Sequence, residues 1–213
     1  GGKLLRIRPS VVVGFGGYPS LPVMIAACIA RFPTAVVAPD AVLGRANRAV
    51  MDYVRVIAAG LPLKRFKPKE MSKVVYTGNP VRPEVVALSG ASYEAPAHGT
   101  IHLLVFGGSQ GARALSEIVP AAISLLPSAL KARLSLVQQC RPEDLKTVRD
   151  LYNKEGVAAE LAPFFQDLPI RMAQAHLVIG RSGAGTVAEL MVIGRPAILV
   201  PLPHALDDNQ TPN

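Results

Sequence analysis

Apolar and polar positions in this 213-residue chain come in blocks. Short runs of Val, Ile and Leu are separated by stretches with helical spacing, and Gly and Pro punctuate both. The same unit recurs three times: an apolar run, a glycine loop, then a helix-like pattern. Val11–Val13 leads into "GFGGYPS" and then "LPVMIAACIARF", where Ser20 reads as the N-cap and Pro22 is tolerated in the first turn. Ile101–Phe106 leads into "GGSQGA" and a helix beginning near Ala112. Leu177–Ile179 leads into "GRSGAG" and a helix from about Thr186 to Ile193, stopped by Gly194 and Pro196. Further strands are predicted at Ala35–Val37, Val54–Ile57, Val74–Tyr76, Leu134–Val137 and Ala197–Val200. Near-continuous aliphatic strands alternating with helices predict an α/β fold with parallel sheets covered on both faces.

Charge divides the chain. Residues 1–82 hold 13 Lys and Arg against Asp40, Asp52 and Glu70, whereas residues 83–213 hold 10 basic and 12 acidic residues. The net charges are +10 and −2. The change falls at "TGNPVRPE", Thr77–Glu84, whose two prolines and turn chemistry mark a linker. The predicted domains are therefore 1–79 and 80–213, with Ser89–Thr100 as a polar loop inside the second. The first domain is suited to an anionic partner: nucleic acid, a phosphate ligand or an acidic membrane surface. Its densest basic run is "LKRFKPK", Leu63–Lys69; a solvated loop is the plainer reading. No RNA-binding signature accompanies it. Apolar stretches are interrupted before reaching about 18 residues, so no transmembrane helix is expected. Cys28 and Cys140 lack metal-ligand spacing and suggest a reducing compartment. The opening "GGKLLRIRP" and the ending "DDNQTPN", which reads as the start of a helix, suggest a piece of a longer protein.

Chemistry is expected where the glycine loops leave the strands, because open parallel sheets bind ligands beyond their carboxyl ends. Gly107, Ser109 and Gly111 spell G-x-S-x-G, the turn that exposes a nucleophilic serine in α/β-hydrolases. Asp167 and His204 follow in the order such a triad needs. The same loop, which lacks both the Walker pattern and the dinucleotide fingerprint, is equally the shape of a phosphate cradle or a plain turn. In "RSGAGTVAEL", small residues and free amides at a helix start favour phosphate, and Glu189, one turn beyond Thr186, suits a pair of ribose hydroxyls. Thr186-x-x-Glu189 is also a capping box that needs no ligand. "VPLPHALDDNQ" presents His204, Asp207, Asp208, Asn209 and Gln210 together; amides suit a sugar, and Asp207 or Asp208 alternatively caps a helix.

Taken in order, "GFGGYPS", "GRANR", "TGNPVRPE", "GGSQGARAL", "RSGAGTVAEL" and "PLPHALDDNQ" resemble the MurG family of bacterial glycosyltransferases over almost the whole chain. The resemblance implies the GT-B architecture: two Rossmann-like domains with parallel sheets facing a cleft, the first incomplete here. It implies inverting, metal-independent and cofactor-free transfer of N-acetylglucosamine from UDP-N-acetylglucosamine to lipid I, giving lipid II for peptidoglycan. The setting would be the cytoplasmic face of the bacterial inner membrane, with peripheral attachment and no nucleic acid. By the same resemblance, Arg82 and Ser109 would bind the donor, and Ala184, Gly185 and Thr186 would offer amides to its diphosphate. Glu189 would hold the ribose, Phe165 would meet the uracil through its backbone, and Asn209 and Gln210 would read the sugar. Gly16, Gly17 and Tyr18 would face the acceptor pyrophosphate, with Asp40 beside them.

One departure bears on the acceptor side. Family members carry His-Glu-Gln-Asn where this chain has "VAPD", Val37–Asp40, so only Asp40 remains as an acid. The family's first glycine loop and histidine would lie before residue 1 and its closing helices after residue 213, with Pro212 just inside the last helix. The general base is therefore left unassigned. The competing expectations are a serine hydrolase built on Ser109 and a non-catalytic binder of UDP-sugars.

Overall fold

A computed structural model of the chain describes residues 2–65, 67–108, 113–203 and 208–213. It forms two compact units: Gly1–Pro80 with Gly183–Gly185 and Leu202–Asn213, and Val81–Ser182 with Thr186–Pro201.

The first unit contains α1 (Gly2–Ile7), β1 (Val12–Gly14), α2 (Leu21–Ile29), β2 (Thr34–Ala38), α3 (Arg45–Val50), β3 (Val56–Ala59) and β4 (Val74–Tyr76). The strands run parallel in the order β1-β2-β3-β4. Met24 and Ala27 of α2 pack with Val36, Leu43, Val50 and Ile57 to make its core. Gly14 is required at the end of β1, because a Cβ there would lie 2.8 Å from the buried Met24 side chain. Ser20 does not cap α2 with its side chain: a 3-10 turn, Tyr18–Ser20, already gives it helical angles, and its hydroxyl donates to the Gly17 carbonyl at 2.9 Å. An N-cap needs extended angles to aim its oxygen at the helix.

The second unit holds α4 (Pro83–Val86), β5 (Ile101–Phe106), α5 (Arg113–Ser124), α6 (Ser128–Lys131), β6 (Leu134–Gln139) and α7 (Leu145–Lys154). These are followed by β7 (Ala158–Ala162), α8 (Leu168–Gln174), β8 (Leu177–Gly180), α9 (Ala184–Ile193), whose first two residues are counted with the first unit, and β9 (Ala197–Leu199). Its sheet is parallel throughout, in the order β7-β6-β5-β8-β9. Alternation along β5 serves two cores. Leu103 and Val105 join Leu115 and Val119 of α5 and Val148 and Tyr152 of α7; Leu104 and Phe106 join Val85, Met172, Leu190 and Ile193. Within the first of these cores the Tyr152 hydroxyl donates to Gln138, whose amide donates to the Leu115 carbonyl, and burial pushes the tyrosine pKa up.

One expectation needs correction here. Helix α9 begins at Ala184, not Thr186, so Thr186 is already inside it and the capping-box reading fails; Glu189 instead bonds Arg82. Strand β7 has no aliphatic run to announce it: "AAELA" is small, half-exposed and composed of helix formers. Its ladder with β6, Ser135↔Ala158 through Gln139↔Ala162, makes it a strand.

Where β5 and β8 begin, the His102 amide donates to His176 Nδ1 at 2.9 Å and the two rings stack 5.1 Å apart. Burial, then His102 and Arg195, lower the His176 pKa. A base held neutral in the native state binds fewer protons than its unfolded counterpart. Its contribution is thus complete above the unfolded value of about 6.5 and is lost as pH falls through the lowered native value. Melting the protein between about pH 7.5 and 5.5 should show a loss of stability that His176→Asn reduces. Parallel profiles for the two proteins would remove His176 as its source.

Candidate functional site

In the first unit, β1 ends at Gly14, and Gly16 and Gly17 follow with φ of 83° and 76°. Those left-handed angles fold the loop tightly enough for Tyr18 to start its 3-10 turn. Gly16, Gly17, Tyr18 and Asp40 line one cavity of about 210 Å³, together with Arg45, Asn47 and Asn209. Asn47, 5% exposed, anchors the floor by donating to the Val37 carbonyl at 2.8 Å. Asp40 stands just past the carboxyl end of β2 and accepts from Asn209 Nδ2 at 3.2 Å and Asn213 Nδ2 at 2.8 Å. The Ala41 amide returns a bond to Asn213 Oδ1 at 2.9 Å. The four residues expected on the acceptor side are thus together, and Asn209, expected on the donor side, shares their cavity. Gln210 spends its Oε1 on the Leu202 amide at 2.8 Å.

In the second unit the chain turns outward from β5 to β6 and β7 on one side and to β8 and β9 on the other. The switch point lies between β5 and β8, which pair as Phe106↔Gly180. The loops after these strands are therefore neighbours at the carboxyl edge, where open sheets hold ligands. Gly180 permits the closeness: a Cβ there would meet the Phe106 carbonyl at 3.2 Å. Ser109, His204 and Asp207 lie outside the described residues.

Helix α9 follows β8 directly. Ala184, Gly185 and Thr186 are its first three residues, so their amides have no helical acceptor one turn back and lie at the positive end of the helix dipole, an arrangement that favours an anion. Glu189 lies one turn further along the same face. Arg82 reaches it with two prongs, Nε to Oε1 at 2.9 Å and Nη2 to Oε2 at 3.2 Å. Packing holds both ends of the pair, since Val85 of α4 and Leu190 of α9 are buried in the same core. The bond to Glu189 raises the arginine pKa.

Phe165 is 7% exposed, and the Arg171 guanidinium sits 4.4 Å from its ring centroid. Arg171 also bonds Glu160 at 2.7 and 2.9 Å and Asp167 at 2.8 Å. The Phe165 ring is thus engaged with Arg171. Asp167 is held below the ordinary carboxylate range by Arg171 and so is committed to that ion pair.

Two site-forming residues escape the sequence reading. Gln139, at the end of β6, accepts from the Gly107 amide at 3.3 Å and donates to the Pro163 carbonyl at 3.0 Å, tying the loops after β5 and β7 together. Its signal was a pair of amides, "QQ", closing an apolar strand. Arg181, 8% exposed, donates to the Val200 and Pro201 carbonyls at 3.3 and 2.9 Å, while its Nε has no partner among the described residues. Burial lowers its pKa. Among the described residues no cluster of three metal-ligating side chains occurs.

Residues 102–213 match the family described as Glycosyltransferase family 28 C-terminal domain. Over 210 residues the chain is 55% identical to the UDP-N-acetylglucosamine--N-acetylmuramyl-(pentapeptide) pyrophosphoryl-undecaprenol N-acetylglucosamine transferase of Paramagnetospirillum magneticum, covering 98% of this chain and 57% of that protein. The enzyme of the same name from Rhodospirillum centenum is 53% identical over 212 residues, 99% of this chain and 56% of its own length. The crystal structure of MurG from Acinetobacter baumannii superposes with a TM-score of 0.80 at 29% identity, covering 99% of this chain and 58% of that one. The chain therefore spans little more than half the length of the relatives it matches. More than half of its residues are identical to those of the Paramagnetospirillum and Rhodospirillum enzymes over almost its entire length, and its fold superposes on the MurG crystal structure, so the chain belongs to the MurG family of glycosyltransferase family 28, with the GT-B class of fold.

Proposed function

We propose that this chain is the portion of an N-acetylglucosaminyltransferase that carries the donor site and part of the acceptor site. The donor is UDP-N-acetylglucosamine, and the acceptor is undecaprenyl-pyrophosphoryl-MurNAc-pentapeptide, lipid I. Residues 80–213 serve the donor and residues 1–79 the acceptor. An acceptor hydroxyl, giving up its proton to a base, attacks C1 of the sugar from the face opposite UDP, the C1–O bond to the β-phosphate breaks, and its electron pair leaves with UDP. One displacement inverts C1. Charge growing on the diphosphate meets the amides of α9 and the Arg82 guanidinium, positive groups that serve in place of a metal ion. No residue is assigned as the base.

The observation that carries this reading is Glu189 set one turn beyond the open amides of α9 and beside Arg82, a spacing that suits the ribose and diphosphate of one nucleotide. Titrating UDP into the protein by calorimetry tests it. Binding is expected, and Glu189→Ala should weaken it about tenfold or more, since hydrogen bonds to a charged acceptor contribute roughly 1.5–3 kcal/mol. Equal affinities would leave Glu189 with no part in the donor site.

Helix α2 supports attachment to an anionic lipid surface, in keeping with a lipid-linked acceptor. Its nine residues carry no charge, yet only Met24 and Ala27 are buried. Ile25 and Ile29, 42% and 79% exposed, line a groove of about 450 Å³ with Cys28, Val50 and the 75% exposed Tyr53. Arg31 and Arg55, both exposed, follow two residues after Ile29 and Tyr53. In the basic run Leu63 and Pro68 are buried and Lys64, Arg65, Lys67 and Lys69 exposed; Phe66 lies outside the described residues. No described helix is long and apolar enough to cross a membrane. The reading is peripheral attachment at the cytoplasmic face of the bacterial inner membrane, without nucleic acid.

A further inference from the structure

We infer that the Arg82–Glu189 ion pair sets the donor site's preference for a nucleoside diphosphate over a free nucleoside; this rests on the donor reading above. The carboxylate that would hold the ribose is already occupied. Arg82 covers both of its oxygens, at 2.9 and 3.2 Å, and the Glu189 side chain is only 16% exposed. Two neutral hydroxyls arriving at Glu189 must therefore displace a two-pronged, charge-assisted contact and leave a guanidinium with nothing in return.

A diphosphate changes that exchange. It brings its own anionic oxygens to the α9 amides, one turn from Glu189. The Arg82 side chain is 51% exposed, so its outer part can turn while Val85, three residues on, stays buried. The guanidinium moves from carboxylate to phosphate while the freed carboxylate takes the ribose. No positive charge is left unpaired, and no carboxylate is left without a donor. The pair is thus an obstacle to uridine and a prepared binding group for UDP.

The opposed effects on two ligands separate this from ordinary contact. Uridine and UDP are titrated into the wild-type 213-residue protein and into Arg82→Met, with thermal unfolding to verify that both are folded. Arg82→Met should weaken UDP about tenfold or more, through loss of its phosphate partner. It should strengthen uridine about two- to fivefold, the range expected on removing a partly exposed competing ion pair. The wild-type protein should also show opposite salt responses: added NaCl screens the pair, so uridine tightens while UDP weakens. In Arg82→Met the salt response for uridine should vanish. If uridine weakens in parallel with UDP, or is unaffected, Arg82 is a plain contact and the inference falls while the donor reading stands. If the wild-type protein binds neither ligand, the donor reading itself is overturned, and the inference with it.

Discussion

Replacing Ile25 and Ile29 together by Ser should abolish most of the protein's flotation with anionic vesicles. Each isoleucine moved from water into an apolar environment contributes about 1.5–3 kcal/mol when fully buried. Insertion at a headgroup boundary is partial, so the lower end applies, and the pair is worth about 3 kcal/mol, roughly a hundredfold in partitioning. Both side chains point away from the core, which α2 reaches through Met24 and Ala27, so the fold should tolerate the change. Electrostatics form the second arm. Changing Lys64, Arg65, Lys67 and Lys69 to Ser removes up to about 1 kcal/mol per charge at low salt, falling off within a Debye length. UDP binding should persist in both variants. If both still float like the wild type, neither surface touches lipid. If light scattering shows wild-type dimers that the isoleucine variant lacks, the apolar face joins two copies instead.

Arg195→Met should destabilise the second unit by about 2–4 kcal/mol, with no change in UDP affinity for the folded protein. The side chain is 8% exposed and lies just past the end of α9. Its Nε donates to the Ala173 carbonyl at 2.9 Å, Nη2 to Ser92 at 2.8 Å and also to Ala173, and Nη1 to Gly194 at 3.2 Å and Ala91 at 3.3 Å. The ring of Tyr93 lies 5.5 Å from the guanidinium. These acceptors are mainly backbone carbonyls from three stretches of chain that have no ladder to bind them. One fork therefore pins the loop at residues 91–93 to α8 and to the negative end of the α9 dipole. Desolvating the guanidinium offsets much of the gain, which limits the net figure. Methionine keeps the stem volume and leaves the carbonyls unmet. Urea unfolding measures it. A change under about 0.5 kcal/mol would mean that desolvation cancels the bonds entirely.

The strands that carry aliphatic or aromatic β-formers were legible from sequence, β5 and β4 to the residue; in β5 the run is demanded by burial on both faces of the sheet. The edge strand β7 was not, since its small residues and helix formers make no such run. The glycine loops were legible because glycine takes paths that other residues resist: Gly16, Gly17 and Gly108 hold positive φ, and in the third loop Gly180 lies close to the Phe106 carbonyl. The start of α9 was misjudged by two residues. Thr186-x-x-Glu189 satisfies a local rule for capping, but the partner that claims Glu189 is 107 positions away in sequence.

What the sequence determined by itself was local or cumulative: hydrophobic period, turn chemistry, the charge balance of +10 against −2, and six motifs whose order specifies the family. Each of these is written in neighbouring residues or in sums over them. What only the tertiary structure decided was pairing between distant side chains. Asp40 with Asn209 and Asn213, Gln139 between Gly107 and Pro163, Arg82 on Glu189 and Arg195 on three separate segments all join residues whose identities say what they can bond, not whom. A carboxylate or an amide has many candidate partners along a chain; the strand order, such as β7-β6-β5 around Gln139, narrows them to the few that the fold brings near. The exposed face of α2 was decided the same way. Its sequence is apolar all round, and which side remained outside depended on where β1 and β2 lay beneath it.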